Sequence, residues 1–101
     1  MDLSINIQED KILAAVTGRI DTSTSPLFEE RMQPLLENAN KEIELDLQGL
    51  TYISSAGLRL FLILQKKVST AGGKLVLRHM ANDIANVFKM TGFSKIFNIV
   101  D

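Results

Sequence analysis

The residues best placed to do chemistry in this 101-residue chain are Ser54 and Ser55. They follow a short apolar segment, Tyr52-Ile53, and precede a strongly apolar run from Leu58 to Leu64. That pattern puts both hydroxyls at the start of a helix. A helix start leaves about four backbone N–H groups without intrahelical partners and carries roughly half a positive charge. A serine there can cap the helix. It can also be phosphorylated, which adds about −1.5 to −2 charge. The two roles are compatible, because a cap sits at the surface end of its helix, and these residues alone leave both open.

Other reactive groupings are thin. The single histidine, His79, follows a strand-like run and has no cysteine beside it, whereas a metal site needs several ligands. A Ser-His-Asp reading would pair Ser55 with His79, but the Gly-x-Ser-x-Gly elbow that presents a nucleophilic serine is missing. The glycines form neither a P-loop nor a dinucleotide fingerprint. The acidic residues are scattered, without the spacing of a paired-carboxylate site. The chain therefore reads as a non-enzyme with no catalytic residue, metal or cofactor.

Bulk properties narrow the partners. A net charge of −1 supplies no basic field for nucleic acid or an anionic membrane. The absence of cysteine removes disulfides and thiolate chemistry, and fits a cytoplasmic protein. Met1-Asp2-Leu3-Ser4 lacks the basic and long apolar segments of a signal peptide. The run from Leu58 to Leu64 is interrupted by Arg59 and falls far short of the ~20 residues a membrane span requires. A soluble, cytoplasmic, single domain over residues 1–101 is expected.

The elements that must position the two serines follow from periodicity. Leu3, Ile5 and Ile7 alternate with polar residues, and KILAAVT at 11–17 is a second apolar run after a short turn. Together they predict an antiparallel hairpin, broken off at Gly18. Asp21 to Ser25 is rich in helix-capping residues, and Pro26 suits a first helical turn. Leu27, Phe28, Met32, Leu35 and Leu36 then recur at helical spacing, with a kink expected at Pro34. EIELDL at 42–47 alternates as a strand. The second helix is expected from about Ser55 to Thr70, with a core stripe of Leu60, Phe61, Leu64 and Val68 broadened by Leu58, Leu62 and Ile63. Gly72-Gly73 stops it. KLVLR at 74–78 is a strand. A third helix starts at Ala81-Asn82-Asp83 with Ile84, Val87, Phe88 and Met90 inward. IFNIV at 96–100 is a last strand. The predicted fold class is α/β in the order ββαβαβαβ, a central mixed sheet with helices packed on it and parallel neighbours from the third strand onward.

Three stretches carry a resemblance, in order and over nearly the whole chain. They are Thr17-Gly18-Arg19-Ile20-Asp21, the segment from Leu45 through Ser54-Ser55-Ala56-Gly57 to Leu58, and Met90-Thr91-Gly92-Phe93-Ser94-Lys95-Ile96-Phe97. The chain resembles the STAS domain, and within it the stand-alone bacterial anti-sigma factor antagonists. The resemblance implies a STAS-like fold and a partner switch. The partner would be an anti-sigma factor that is also a serine kinase of the GHKL type. Binding it frees a sigma factor for transcription, phosphorylation of a serine ends the binding, and a PP2C-type phosphatase restores it. Aligning the Gly57-Leu58 pair puts the phosphoacceptor at Ser55, with Ser54 the second choice. Ser54 stands where the family usually has Asp, and Ala56 where it has a second Ser or Thr.

The same resemblance marks Asp21, Thr22, Ser23, Thr24, Ser54, Ser55, Ala56, Gly57 and Arg59 as the partner-binding set. Asp21 matches the family's Gly-x-x-Asp landmark and can equally cap its own loop. Arg59, one turn into the helix, is expected to face solvent. The family commonly adds a C-terminal helix, which is expected to be short or absent here, and the apolar patch it would leave suits a weak homodimer. No direct nucleic-acid contact and no membrane insertion are implied. The alternative on the same fold is an adaptor subunit of a lipid or anion transport assembly without a phospho-switch.

Overall fold

The alternation in the first seventeen residues builds an antiparallel hairpin in a computed structural model that describes residues 1–100. Strand β1 (Asp2–Ile7) pairs with β2 (Lys11–Ile20) from Asp2↔Thr17 to Ile7↔Ile12. The chain continues through α1 (Ser25–Arg31), α2 (Gln33–Glu37), β3 (Glu42–Ile53), α3 (Ser55–Ala71), β4 (Lys74–Arg78), α4 (Asn82–Met90), a 3-10 turn at Phe93–Lys95 and β5 (Asn98–Val100). The five strands lie in the spatial order β1-β2-β3-β4-β5. β2, β3, β4 and β5 run parallel, and β1 alone is antiparallel. This is the mixed α/β sheet the sequence predicts.

The two faces of the sheet differ as a period of two requires. Ile12, Ala14 and Val16 of β2, Ile43, Leu45 and Leu47 of β3, and Leu75 and Leu77 of β4 turn inward. They form one core with Phe28 of α1, Leu35 of α2, Phe61 and Leu64 of α3, and Ile84 and Phe88 of α4. The helices thus cover one face. A row of rings ties them together, Phe28–Phe61 at 5.6 Å, Phe61–Phe88 at 6.1 Å and Phe88–Phe97 at 5.5 Å between centroids. Each such ring buries enough apolar surface to contribute about 1.5–3 kcal/mol. The opposite face is mixed, with Leu13 and Val76 standing among charged side chains. There Glu44 of β3 accepts from Arg78 of β4 at 2.6 Å and lies 3.0 Å from Lys11 of β2. These two cations, Lys11 first, hold the Glu44 carboxyl below the usual carboxylate range.

Several expectations need correction. Gly18 does not end β2. It takes φ +87° in an irregular stretch of the β2–β3 ladder, and the strand runs on to Ile20. β3 likewise continues six residues beyond Leu47, to Ile53, because its extra length pairs with the extended β2. The Pro34 kink is a full break: α1 ends at Arg31 and α2 restarts at Gln33, with the proline in the first turn, where its missing N–H costs nothing. Ile7 and Ile63 are exposed rather than core. Met90, the last residue of α4, is 86% exposed. β5 begins at Asn98, since Ile96 still belongs to the turn that follows Phe93–Lys95.

Candidate functional site

β2 and β3 end side by side. Ile20 is opposite Ile53, and the Ser54 N–H donates to the Ile20 carbonyl at 2.8 Å. The loop after β2, residues 21–24, and the start of α3 therefore share one end of the sheet. This brings Asp21, Thr22, Ser23 and Thr24 to the same edge as Ser54 and Ser55.

The two serines divide the work of the helix start. Ser54 has extended backbone (φ −85°, ψ 170°) and is the N-cap, its Oγ accepting the Gly57 N–H at 3.2 Å. Ser55 is the first helical residue and is exposed. Among the described residues its hydroxyl has no hydrogen-bond partner. Beneath them Gly57 is buried, and a Cβ there would stand 2.7 Å from Ile20 Cγ2 and 2.9 Å from Ile53 Cγ1. Glycine lets the helix start sit down on the strand ends. Ala56 is half-buried, and Arg59 is exposed one turn further on.

The neighbouring loop is held by its own polar groups. Asp21 Oδ1 accepts from the Ser23 hydroxyl at 2.7 Å, and from the backbone N–H groups of Ser23 and Thr24, each at 3.0 Å. The Ser23 and Thr24 bonds hold the Asp21 carboxyl down at about 2, so it is anionic at any working pH. Thr24 Oγ1 accepts the Asp21 N–H at 2.8 Å and donates to the Arg19 carbonyl at 2.9 Å. Thr24 is the N-cap of α1 by position, but its side chain closes the loop rather than the helix. Thr22 is exposed.

Two residues of this end were not singled out from the sequence. The Arg19 guanidinium lies over the Tyr52 ring, 4.4 Å from its centroid, and its Nε is 3.7 Å from Asp21 Oδ2. The register Arg19↔Tyr52 creates the stack. Both lie beyond the strand ends that local alternation suggests, at Gly18 and Leu47, and only the pairing shows that they meet.

His79 is elsewhere. It follows β4 at φ +61° and stands 3.3 Å from Asp46 Oδ1. Arg78 is opposite Asp46, and β3 runs on from there to Ile53 before Ser54 is reached. At ~3.3 Å per strand residue that is roughly 25 Å, beyond any hydrogen bond between His79 and Ser55. Two concavities lie apart from the serines. One of about 590 Å³ sits between α2 and α3 against Leu36 and Ile63, and one of about 360 Å³ on the open sheet face by Glu44 and Arg78. Neither includes Ser54 or Ser55. No helix is long and apolar enough to cross a membrane, and no cluster of three or more candidate metal ligands occurs among the described residues.

A strand-end hydroxyl pair opening a buried-stripe helix, beside a capped acidic loop, is set on a mixed five-stranded sheet. The STAS domain model matches residues 2–101. The chain belongs to the STAS family. This STAS domain is 28% identical over 101 residues to the anti-sigma-B factor antagonist of Bacillus subtilis, covering 98% of this chain and 92% of the relative. It superposes with a TM-score of 0.86 and 23% identity on a candidate anti-sigma factor antagonist of Thermotoga maritima, covering 98% of this chain and 86% of that one. It also matches the Bacillus anti-sigma factor antagonist SpoIIAA at 13% identity. The TM-score is 0.73 for the unphosphorylated form, covering 99% of this chain and 88% of that one. It is 0.72 for the phosphorylated form, covering 99% and 92%. At these identities the structural likenesses speak for the fold.

Proposed function

We propose that this protein, as a single STAS domain over residues 1–101, is a cytoplasmic anti-sigma factor antagonist that works by partner switching. In the unmodified state the edge formed by Asp21–Thr24, Ser54–Gly57 and Arg59 binds an anti-sigma factor that is a GHKL-type serine kinase. That binding releases a sigma factor. Phosphorylation of Ser55 ends it, and a PP2C-type phosphatase restores it. ATP and its metal belong to the kinase.

The observation that carries the reading is the division between the two serines. Ser54 is spent on the cap, and the Ser55 hydroxyl is exposed without a partner among the described residues. A kinase can reach Ser55 without dismantling the helix start. The fold tolerates the product, because free N–H groups and the dipole at a helix start favour an anion. The partner surface does not, since a new dianion against a close-packed or acidic face costs desolvation and repulsion. The relatives named as anti-sigma factor antagonists support the partner class. The similar TM-scores to SpoIIAA with and without phosphate support a switch that leaves the fold alone.

The test is Ser55→Asp. It is expected to weaken binding of the cognate anti-sigma factor roughly tenfold or more, while the thermal midpoint stays within a few degrees of wild type. A large fall in midpoint with unchanged binding per folded molecule would sink the switch. Co-purification with membrane transport subunits that is indifferent to Ser55 would mark the adaptor role instead.

A further inference from the structure

The chain has four arginines, and three of them are engaged with carboxylates. Arg19 lies 3.7 Å from Asp21, Arg31 pairs with Asp2 at 2.9 Å, and Arg78 pairs with Glu44 at 2.6 Å. Arg59 has neither a salt bridge nor a hydrogen-bonded side-chain partner among the described residues. It is exposed, and it stands four residues after Ser55 in the same continuous helix, α3. Residues four apart on a helix lie one above the other, with about 5–6 Å between Cβ atoms. An anion N-terminal to a cation at this spacing is the favourable order of the pair. The hydroxyl without a partner and the arginine without a partner are therefore neighbours on one exposed face.

We infer that Arg59 holds the phosphoryl group of Ser55 once that group is installed. The inference rests on the Ser55 reading above and adds a second arm to the switch. In the unmodified protein the guanidinium is available to a carboxylate of the partner. In the phosphorylated protein it turns to the phosphoryl oxygens, which suit its planar, forked donors. Phosphorylation then does two things at the docking edge: it adds an anion and withdraws a cation.

The experiment uses the full chain with phosphoserine encoded at position 55 during translation, so that no kinase is needed. The probe is the second ionisation of that phosphate, followed by phosphorus NMR against pH. A neighbouring guanidinium favours the dianion, so the phosphate is expected to titrate about 0.15–0.4 of a pH unit lower in the parent than in Arg59→Ala. Arg59→Lys is expected to keep part of the shift, and added salt to shrink it. Identical titration of the parent and Arg59→Ala would overturn the pair and leave the Ser55 reading standing. Failure of the cognate kinase to modify Ser55 of the ordinary chain would do the reverse, removing the switch without touching the titration result.

Discussion

A hydroxyl that the fold uses cannot be modified without cost, whereas one that the fold ignores can. Ser54 gives its Oγ to the Gly57 N–H, so Ser54→Ala leaves that donor without its cap. The expected loss is ~1 kcal/mol, or about 4–8 °C in the midpoint of a domain this size. Ser55→Ala removes no intramolecular bond among the described residues and is expected to stay within about 0.5 kcal/mol of the parent. Urea and thermal unfolding of the two variants side by side check this, and equal losses would contradict the division of roles. Asp21 makes a second prediction at this scale. Its carboxyl is held at about 2, below its ordinary 3.8, chiefly by the Ser23 hydroxyl and the Thr24 N–H. A depressed value means that the unfolded chain binds the proton more readily. The contribution of Asp21 is therefore full above the ordinary value and is lost as pH falls through about 2. Asp21→Asn should unfold less steeply than the parent as acid is added across that window. Denaturation midpoints measured between about pH 5 and pH 2 would show two parallel curves if the loop bonds contributed nothing.

The site is positioned by the seat of one helix on two strand ends. α3 can start directly above Ile20 and Ile53 because Gly57 has no Cβ to strike them. Gly57→Val places its side chain within 3 Å of both isoleucines, and overpacking of this kind costs about 1–3 kcal/mol. Because the helix start must lift, stability and partner binding should fall together, whereas Ser55→Asp should lower binding alone. A Gly57→Val protein with the parent's midpoint, measured by calorimetry, would show that the contact is slack. Much of this arrangement was legible in the sequence, since strand alternation, the apolar stripe of α3 and the stop at Gly72-Gly73 are local signals. What was not legible depends on partners distant in the chain. Gly18 looks like a strand end until β3 is laid beside it, 32 residues later, as the pairing Gly18↔Leu50 requires. The stack of Arg19 on Tyr52 exists only in that same register. Local pattern also allowed either serine to cap, and the choice of Ser54 follows from where the strand pairing ends and the Ser54 N–H meets Ile20. Met90 has the right spacing to be core, but α4 ends there and leaves the residue 86% exposed.

At the scale of the whole molecule, the charge balance sets how the switch acts in time. The chain carries 11 basic and 12 acidic side chains, a net −1, and Lys11, Arg31 and Arg78 each lie against a carboxylate. Such a surface exerts little long-range pull on a partner, so association should proceed at the ordinary rate for two docking proteins, about 10⁵–10⁷ per molar per second. Phosphorylation adds about −1.5 to −2 at one edge. Across a Debye length of about 8 Å at physiological salt, that charge is felt mainly after contact. Most of the effect should therefore appear in dissociation. Stopped-flow or surface-binding kinetics of the parent and of Ser55→Asp against the cognate anti-sigma factor would separate the two. The association rate is expected to differ by less than about threefold, with little dependence on salt, and the dissociation rate to rise by roughly tenfold or more. A loss carried by association, growing as salt is lowered, would mean that the modified edge is repelled at a distance by a strongly acidic partner face rather than by a closely fitted one.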